Sequence, residues 1–408
     1  MGVHTLHFQP AYWEIGNSVP GWSHFNRSWS EWGKAGGDTI TPSLFADLVG
    51  RYVTAVLAVD PKGHFIAFGS GMGAANYAEA WISALAQVDG HQLSGVSIHS
   101  YVLGAGPSNP TWSDLLANLN GQYSLTKQVG ADQAFLNAAC PKCALKLFVT
   151  EVNAAEHNTY VRLIPTFAGA LYAAAETAQA LNLKVSNLDW FCYHGHYGGA
   201  WLSGDGHLQI QYTLFAQMMT QLGDQTLPAT VTGPTSFYAA ATLGPSGLTL
   251  LLVNVNMTHT LSVTLDNHDF ASGVPAEKVA WLNGSKVPKN SSVTVGHSIQ
   301  LPALSITVLT VGLGALLAEH AGRPAGAGGA HRAGTEPRAL ALPTVSVDRP
   351  ISTVTPTETA PVPPAGLPSM TLAFVSEASG RGTESPSRDW VPFRIAPPSC
   401  PPTDAYFH

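Results

Sequence analysis

Charge is scarce in this chain. Only 11 % of its 408 residues are Asp, Glu, Lys or Arg, against about a quarter in an average globular protein, which excludes a coiled coil and a charge-rich disordered chain. Lys and Arg number 19 against 26 Asp and Glu, a formal net charge of −7. The chain therefore offers no electrostatic attraction to nucleic acid or to an anionic membrane surface. Cysteine is equally sparse. Four residues are too few for a disulfide scaffold, although Cys140 and Cys143 form one C-P-K-C pair. That pair reads as a local disulfide, inert thiols or half a metal site, the last weakened because no second C-x-x-C supplies the remaining ligands. The opening MGVHTLHFQP lacks a basic region followed by an apolar core of about 7–15 residues, so no signal peptide is predicted. Leu301 to Ala318 is uncharged, at about the lower length limit for a membrane span. Its Pro302, Gly312 and Gly314 and its alternating first half predict a closing β-strand instead.

What the chain has in abundance is ten Trp, twelve Tyr and sixteen His. Flat aromatic faces combined with neutral hydrogen-bonding groups suit a neutral, polyhydroxylated partner, and an oligo- or polysaccharide is the partner class that fits. Low charge with plentiful Gly, Ser, Thr and Trp favours an extracellular protein. No cofactor and no metal are implied.

Composition divides the chain into three. Residues 1–225 alternate short apolar runs with helix-like segments. The runs are YWEIGN (12–17), HFIAFGSG (64–71), GVSIHSYV (95–102), KLFVTEVN (146–153) and LDWFCYHG (188–195). Helical spacing of Ala and Leu marks 43–59, 75–88 and 166–182. Strand, loop, helix, strand is the order of a parallel α/β sheet, and strands apolar throughout are covered on both faces. Residues 226–313 change to short β-rich runs separated by turn residues, including TSFYAAATL, LTLLLVNVN, VAWLNGS and LSITVLTV. This is the spacing of a β-sandwich, read as a stability module. From 314 onward Arg replaces Lys entirely, and 15 of the 29 Pro fall in low-complexity text such as ETAPVPPAGLP, predicting a disordered tail.

Function-bearing side chains of a (β/α) barrel lie at the C-terminal ends of its strands, and the predicted strands here end in polar or aromatic residues. Glu14 to Ser18, His99 with Tyr101, Glu151 with Asn153, and Trp190 with Tyr193, His194 and His196 all occupy such ends. Glu151, in L-F-V-T-E-V-N, stands out. A carboxylate closing an apolar strand is costly to bury unless it is hydrogen-bonded or used, and a fixed carboxylate is what covalent glycosyl transfer requires as nucleophile. The plainer alternative is that Glu151 caps the next helix or pairs with a surface Lys. His194, His196 and the Cys pair leave a metal hydrolase as a remote third reading.

Y-W-E-I-G-N at one strand end, S-I-H-S-Y two strands later and V-T-E-V-N on the next resemble the retaining glycoside hydrolases of the (β/α)8 clan A. The likeness is strongest to the family 51 α-L-arabinofuranosidases, with families 39 and 79 as neighbours, and it covers about residues 11 to 313. The resemblance implies a fourth strand ending in Asn and an acid/base Glu, a seventh ending in the nucleophile, and a β-sandwich after the barrel. It makes Glu151 the nucleophile and Asn17 the contact to the sugar 2-hydroxyl. His99 and Tyr101 would line the site, while Trp190, Tyr193 and His194 would form a stacking wall, with Trp13 and Asn153 completing the substrate-binding set.

Two departures follow. The family motif W-E-I-G-N-E ends here in Ser18, an alcohol too weakly acidic to protonate a leaving group, so the acid/base step is expected to be impaired. Glu14, further down the strand, and Glu31, in the following loop, are poor substitutes. Moreover, only eleven residues precede Tyr12, so five of eight strands are accounted for. The expected fold is a (β/α)8-barrel truncated on its N-terminal side, a β-sandwich and a disordered tail, with open strand edges that a homo-oligomer would close. An endo-β-glycanase of the same clan and a non-catalytic sugar binder are the competing functions.

Overall fold

The computed structural model describes residues 10–17, 19, 40–71, 75–88, 93–103, 110–154, 163–191, 201–202, 206–227, 229–266, 274–285, 287–295, 299–312 and 369–374. The chain divides into two compact units, the second beginning at Thr213.

The first unit is a five-stranded sheet in the order β1 (Trp13–Ile15), β2 (Phe65–Ser70), β3 (Leu93–Tyr101), β4 (Lys146–Asn153), β5 (Leu188–Trp190). Every neighbouring pair is parallel. The five predicted apolar runs coincide with these strands, and β2 is buried at every residue, as a strand covered on both faces should be. Helices supply the crossovers. α1 (Pro42–Leu57) starts where Thr41 Oγ1 accepts the Leu44 amide at 3.2 Å and Pro42 occupies the first turn, a position where its missing N–H costs nothing. It buries Phe45, Leu48, Val49 and Val53 at i, i+3, i+4 and i+8. α2 (Ala75–Ala86) also falls where the sequence predicts a helix.

Two further helices, α3 (Trp112–Asn118) and α4 (Leu125–Ala139), were not legible as periodic segments. α3 is fixed by a reciprocal capping box between Thr111 and Asp114, and α4 has Lys, Gln, Asp and Asn spread among its apolar residues. α5 (Phe167–Leu183) is buried at every position from Phe167 to Ala180. Its Ala-rich sequence permits that all-round burial because small side chains let neighbouring elements approach closely. A left-handed Lys184, φ 54°, ends it.

The sheet curls. Thr150 Oγ1 on β4 donates to Glu14 Oε1 on β1 at 2.8 Å, although β2 and β3 lie between them. Strands are spaced about 4.8 Å apart, so on a flat sheet these side chains would be out of reach. Curvature of this kind is how a parallel sheet approaches barrel closure.

α6 (Ile210–Met219) precedes the second unit's strands. Those strands are β6 (Gln225–Leu227), β7 (Ala229–Thr232), β8 (Phe237–Gly244), β9 (Gly247–Asn254), β10 (Leu261–Asp266), β11 (Val274–Leu282), β12 (Lys289–Val295), β13 (Ile299–Leu301), β14 (Ser305–Val311) and β15 (Ser369–Phe374). They form a six-stranded sheet, β12-β11-β14-β9-β8-β6, and a four-stranded sheet, β13-β10-β15-β7. Alternate residues of both sheets, among them Phe237, Ala239, Leu250, Leu252, Val263, Leu301 and Leu309, build one apolar core, the packing of a sandwich. Within the region expected to be a disordered tail, residues 369–374 instead form β15, parallel to β10 and antiparallel to β7. The rest of that region lies outside the described residues. Ser305–Val311 is the strand predicted in place of a membrane span, and among the described residues no helix is long and apolar enough to cross a membrane.

Candidate functional site

Strict alternation along β4 would turn Glu151 to the side of Leu147 and Val149, both fully buried. A break in register prevents this. Val149 pairs with Ile98, but the next pair is Glu151 with His99, leaving Thr150 without a Cα partner on β3. The extra residue is a β-bulge, which re-aims the side chains that follow it. Thr150 meets Glu14, and Glu151, one residue on, joins the side chains of β3.

There Tyr101 donates its phenol to Glu151 Oε2 at 2.6 Å, and His99 Nδ1 lies 3.2 Å from the same oxygen. The Glu151 side chain is 20 % exposed and that of His99 4 %. Burial lowers the His99 pKa to about 3, so the imidazole is neutral near pH 7 and its approach to the carboxylate is not an ion pair. The histidine is held on two further sides. Phe68 of β2 meets its ring edge to face at 4.5 Å, and Gln128 of α4 donates to its carbonyl at 2.7 Å. The start of α5 is capped by Thr166, which accepts the Ala168 amide.

Beneath this cluster lie further acidic groups. Glu14 is open to solvent by surface area, yet the protein gathered round its carboxyl desolvates it and raises its pKa, against hydrogen bonding from Ser97 and Thr150. Asp189 on β5 is pushed up to about 7, first by burial, with an Asn187 hydrogen bond opposing and the charge of Glu14 adding. Two carboxyls that sense each other across the curl do not both ionise freely at neutral pH.

The remaining candidates separate. Trp13 lies one residue from Glu14 on β1 and so faces the other way, where its indole donates to buried Asp60 at 2.9 Å. Trp190 is 4 % exposed and packs between Tyr172 and Trp201, at 5.4 and 5.8 Å. Asn153 is fully buried, donating to the Phe191 carbonyl and accepting the Ala154 amide. In the described structure these three serve packing and backbone pairing instead of lining an open face, because strand parity and burial decide their direction. Asn17 is exposed just beyond Gly16, whose φ of 85° turns the chain out of β1. Ser18, Tyr193, His194, His196 and Glu31 lie outside the described residues. Cys140 and Cys143 are joined in a disulfide, which withdraws both sulfurs from the metal-site reading, and no metal-binding cluster occurs among the described residues. Thr150, Asp189 and Gln128 were missed. Their only signal was a polar residue inside an apolar strand or on a helix without clear periodicity.

A carboxylate aimed inward at the C-terminal end of a parallel strand, with one oxygen held by a phenol and a neutral imidazole beside it, has the placement that nucleophilic attack at a carbon requires. No family model and no curated protein matches the sequence. Solved structures do resemble the fold. The α-L-arabinofuranosidase of Thermotoga maritima superposes with a TM-score of 0.54 at 15 % identity, over 74 % of this chain and 66 % of that one. The family 51 arabinofuranosidase of Xanthomonas axonopodis pv. citri gives 0.56 at 17 %, over 74 % and 66 %. A family 44 xyloglucanase of Paenibacillus polymyxa gives 0.52 at 13 %, over 73 % and 65 %. The chain thus spans just under two thirds of the length of each. At these identities the likeness is one of fold: this chain folds like glycoside hydrolases, and resembles those of family 51 among them.

Proposed function

We propose that this protein is a retaining glycoside hydrolase acting on plant-type polysaccharide, with α-L-arabinofuranosyl linkages as its substrate and a weakened acid/base step. The observation that carries this reading is the Glu151 carboxylate, held inward at the end of β4 by Tyr101 and His99. In the first step a Glu151 oxygen attacks the anomeric carbon while the bond to the leaving oxygen breaks, giving a glycosyl ester. Water then cleaves the ester and restores the carboxylate. Tyr101 keeps the carboxylate pointed at the reacting carbon throughout. His99, neutral by burial, contributes orientation without competing for the carboxylate as a cation.

The other half of the pair is where this chain departs from the family pattern. Ser18 stands where the acid/base Glu is expected, and general acid catalysis is typically worth about 10²–10⁴-fold. Turnover should therefore be slow on natural glycosides and least affected, in the first step, on substrates whose leaving group needs no proton. An endo-β-glycanase is the second reading, favoured by the resemblance to the family 44 xyloglucanase.

The test is a panel of dinitrophenyl glycosides led by the α-L-arabinofuranoside, with and without azide, following aryl release and intact mass. A burst, an adduct on the peptide containing Glu151 and acceleration by azide are the expected results. Folded protein that releases no aryl group and gains no mass from any member would overturn the enzymatic reading and leave a sugar binder. Preference for a glucoside or xyloside would select the glycanase.

A further inference from the structure

The reaction as proposed gives no role to Glu14, one of the acidic groups beneath the Glu151 cluster. Glu14 is 137 residues from Glu151 in sequence and on a strand three positions away in the sheet, yet its carboxylate accepts the Thr150 hydroxyl at 2.8 Å. Thr150 is the bulged residue itself, the one position of β4 between Val149 and Val152 at which neither β3 register pair includes it. Without the bulge, strand parity would return Glu151 to the side of Leu147 and Val149, away from Tyr101 and His99. A bulge in a strand between two neighbours gives up ladder pairing, so something must hold the extra residue where it is. The observed hold is the Thr150–Glu14 hydrogen bond. It ties the bulge to β1 across the interior, independently of the β3 and β5 ladders on either side. Glu14 touches the nucleophile's neighbour, not the nucleophile, so its effect on chemistry would pass through Thr150.

We propose that Glu14 is a positioning residue which, by accepting the Thr150 hydroxyl across the curl of the sheet, locks the β4 bulge that aims Glu151 at the substrate. This rests on Glu151 being the nucleophile, and it adds a residue on β1 that sets the geometry of one on β4. The Glu14 carboxyl is raised by desolvation, and either its ionised or its protonated form retains an oxygen that accepts from Thr150. The lock therefore persists through neutral pH.

The experiment compares the full chain with Thr150→Val, Thr150→Ser, Glu14→Ala and the Thr150→Val/Glu14→Ala double variant, each first checked by circular dichroism for a cooperative melt. The rate of adduct formation on Glu151 is measured against concentration of the dinitrophenyl α-L-arabinofuranoside. Misplacement of a reacting group by about 1 Å can cost about 10²-fold, and a loss of about that size in the saturating rate is expected for Thr150→Val and for Glu14→Ala, with half-saturation unchanged. The double variant should lose no more than either single one, and Thr150→Ser should recover most of the rate. Parent-like rates in both single variants, or losses that multiply in the double variant, would overturn the proposal. Crystal structures of the same proteins supply a readout that needs no activity. The Tyr101 to Glu151 separation of 2.6 Å should open beyond hydrogen-bonding distance in Thr150→Val and Glu14→Ala and close again in Thr150→Ser. If it stays closed in all of them, the lock does not exist. If the parent forms no adduct, the assignment of Glu151 as nucleophile fails, while these separations still decide whether Glu14 positions it.

Discussion

The parallel sheet and the β-sandwich obey alternation to different degrees. In the sandwich, the pairings β8 with β9, β9 with β14 and β11 with β12 run without a break in register, and every second residue of β8 and β9 enters one apolar core. In the parallel sheet, three of the four pairings carry a register shift, and the inner side holds Glu14, Thr150, Glu151, His99 and Tyr101. Regular pairing maximises burial and ladder bonds, whereas each shift gives up pairing to redirect a side chain. The contrast separates a region of unbroken ladders from one in which register breaks redirect side chains.

The buried acids follow the same division. Glu176 on α5, with no exposure and, among the described residues, no hydrogen-bond partner for either oxygen, is raised to about 8 by burial. Asp132 on α4 is raised to about 7 by burial, against a Ser70 hydrogen bond. Both belong to the first unit. Among the described residues of the sandwich strands, the buried polar side chains are the neutral Thr242, Thr249, Asn254, Ser305 and Thr307.

The largest effect that would sharpen this contrast is expected from Glu151→Gln. It removes the nucleophile while keeping an oxygen for Tyr101, so adduct formation on the arabinofuranoside should vanish with the melting temperature preserved. An adduct that survives the substitution places the nucleophile elsewhere. Next, Ser18→Glu should raise turnover of a substrate with a poor leaving group by about 10²–10⁴-fold and change the dinitrophenyl burst far less. Equal gains on both substrates would mean that proton donation was not what the chain lacked.

Leu252→Ala acts on the other side of the comparison. Deleting a fully buried leucine typically costs about 2–5 kcal/mol, and Leu252 has 0 % exposure in the sandwich core. Denaturant titration should show that loss, while the adduct rate per folded molecule stays at the parent value. A fall in that rate would break the separation of the two regions. The smallest effect concerns pH. Glu176 holds its proton in the folded state up to about pH 8 but loses it near 4.5 when unfolded. In that window the folded state binds more protons, so stability falls as pH rises. Asp132 and Asp189 add the same sign between 3.8 and about 7. Glu176→Gln should flatten the decline above pH 7, where Glu176 is the group still titrating among the three. An unchanged slope would show that its burial is relieved in solution.

The first unit's strands were legible because an apolar run bounded by turn residues reports burial on both faces: β1, β2, β4 and β5 fall inside the predicted runs, and β3 starts two residues before its own. α3 and α4 escaped because α3 has seven residues and α4 distributes its polar groups round its circumference. At the site, His99, Tyr101 and Glu151 could be named from their places at strand ends. Trp13, Trp190 and Asn153 had the same kind of position and were turned by parity or packing into other contacts.

What the sequence by itself determined is the order of the parallel strands with α1, α2 and α5 between them, the sandwich that follows and the residue types gathered at the strand ends, because hydrophobic periodicity is a local property of the chain. Tertiary structure alone decided which way those residues point. A single unpaired residue, Thr150, reverses the parity of β4, and the groups that fix its consequence come from β1 and β3, distant in sequence. Alternation predicts a face only while the register holds, and whether it holds depends on partners that no local pattern contains.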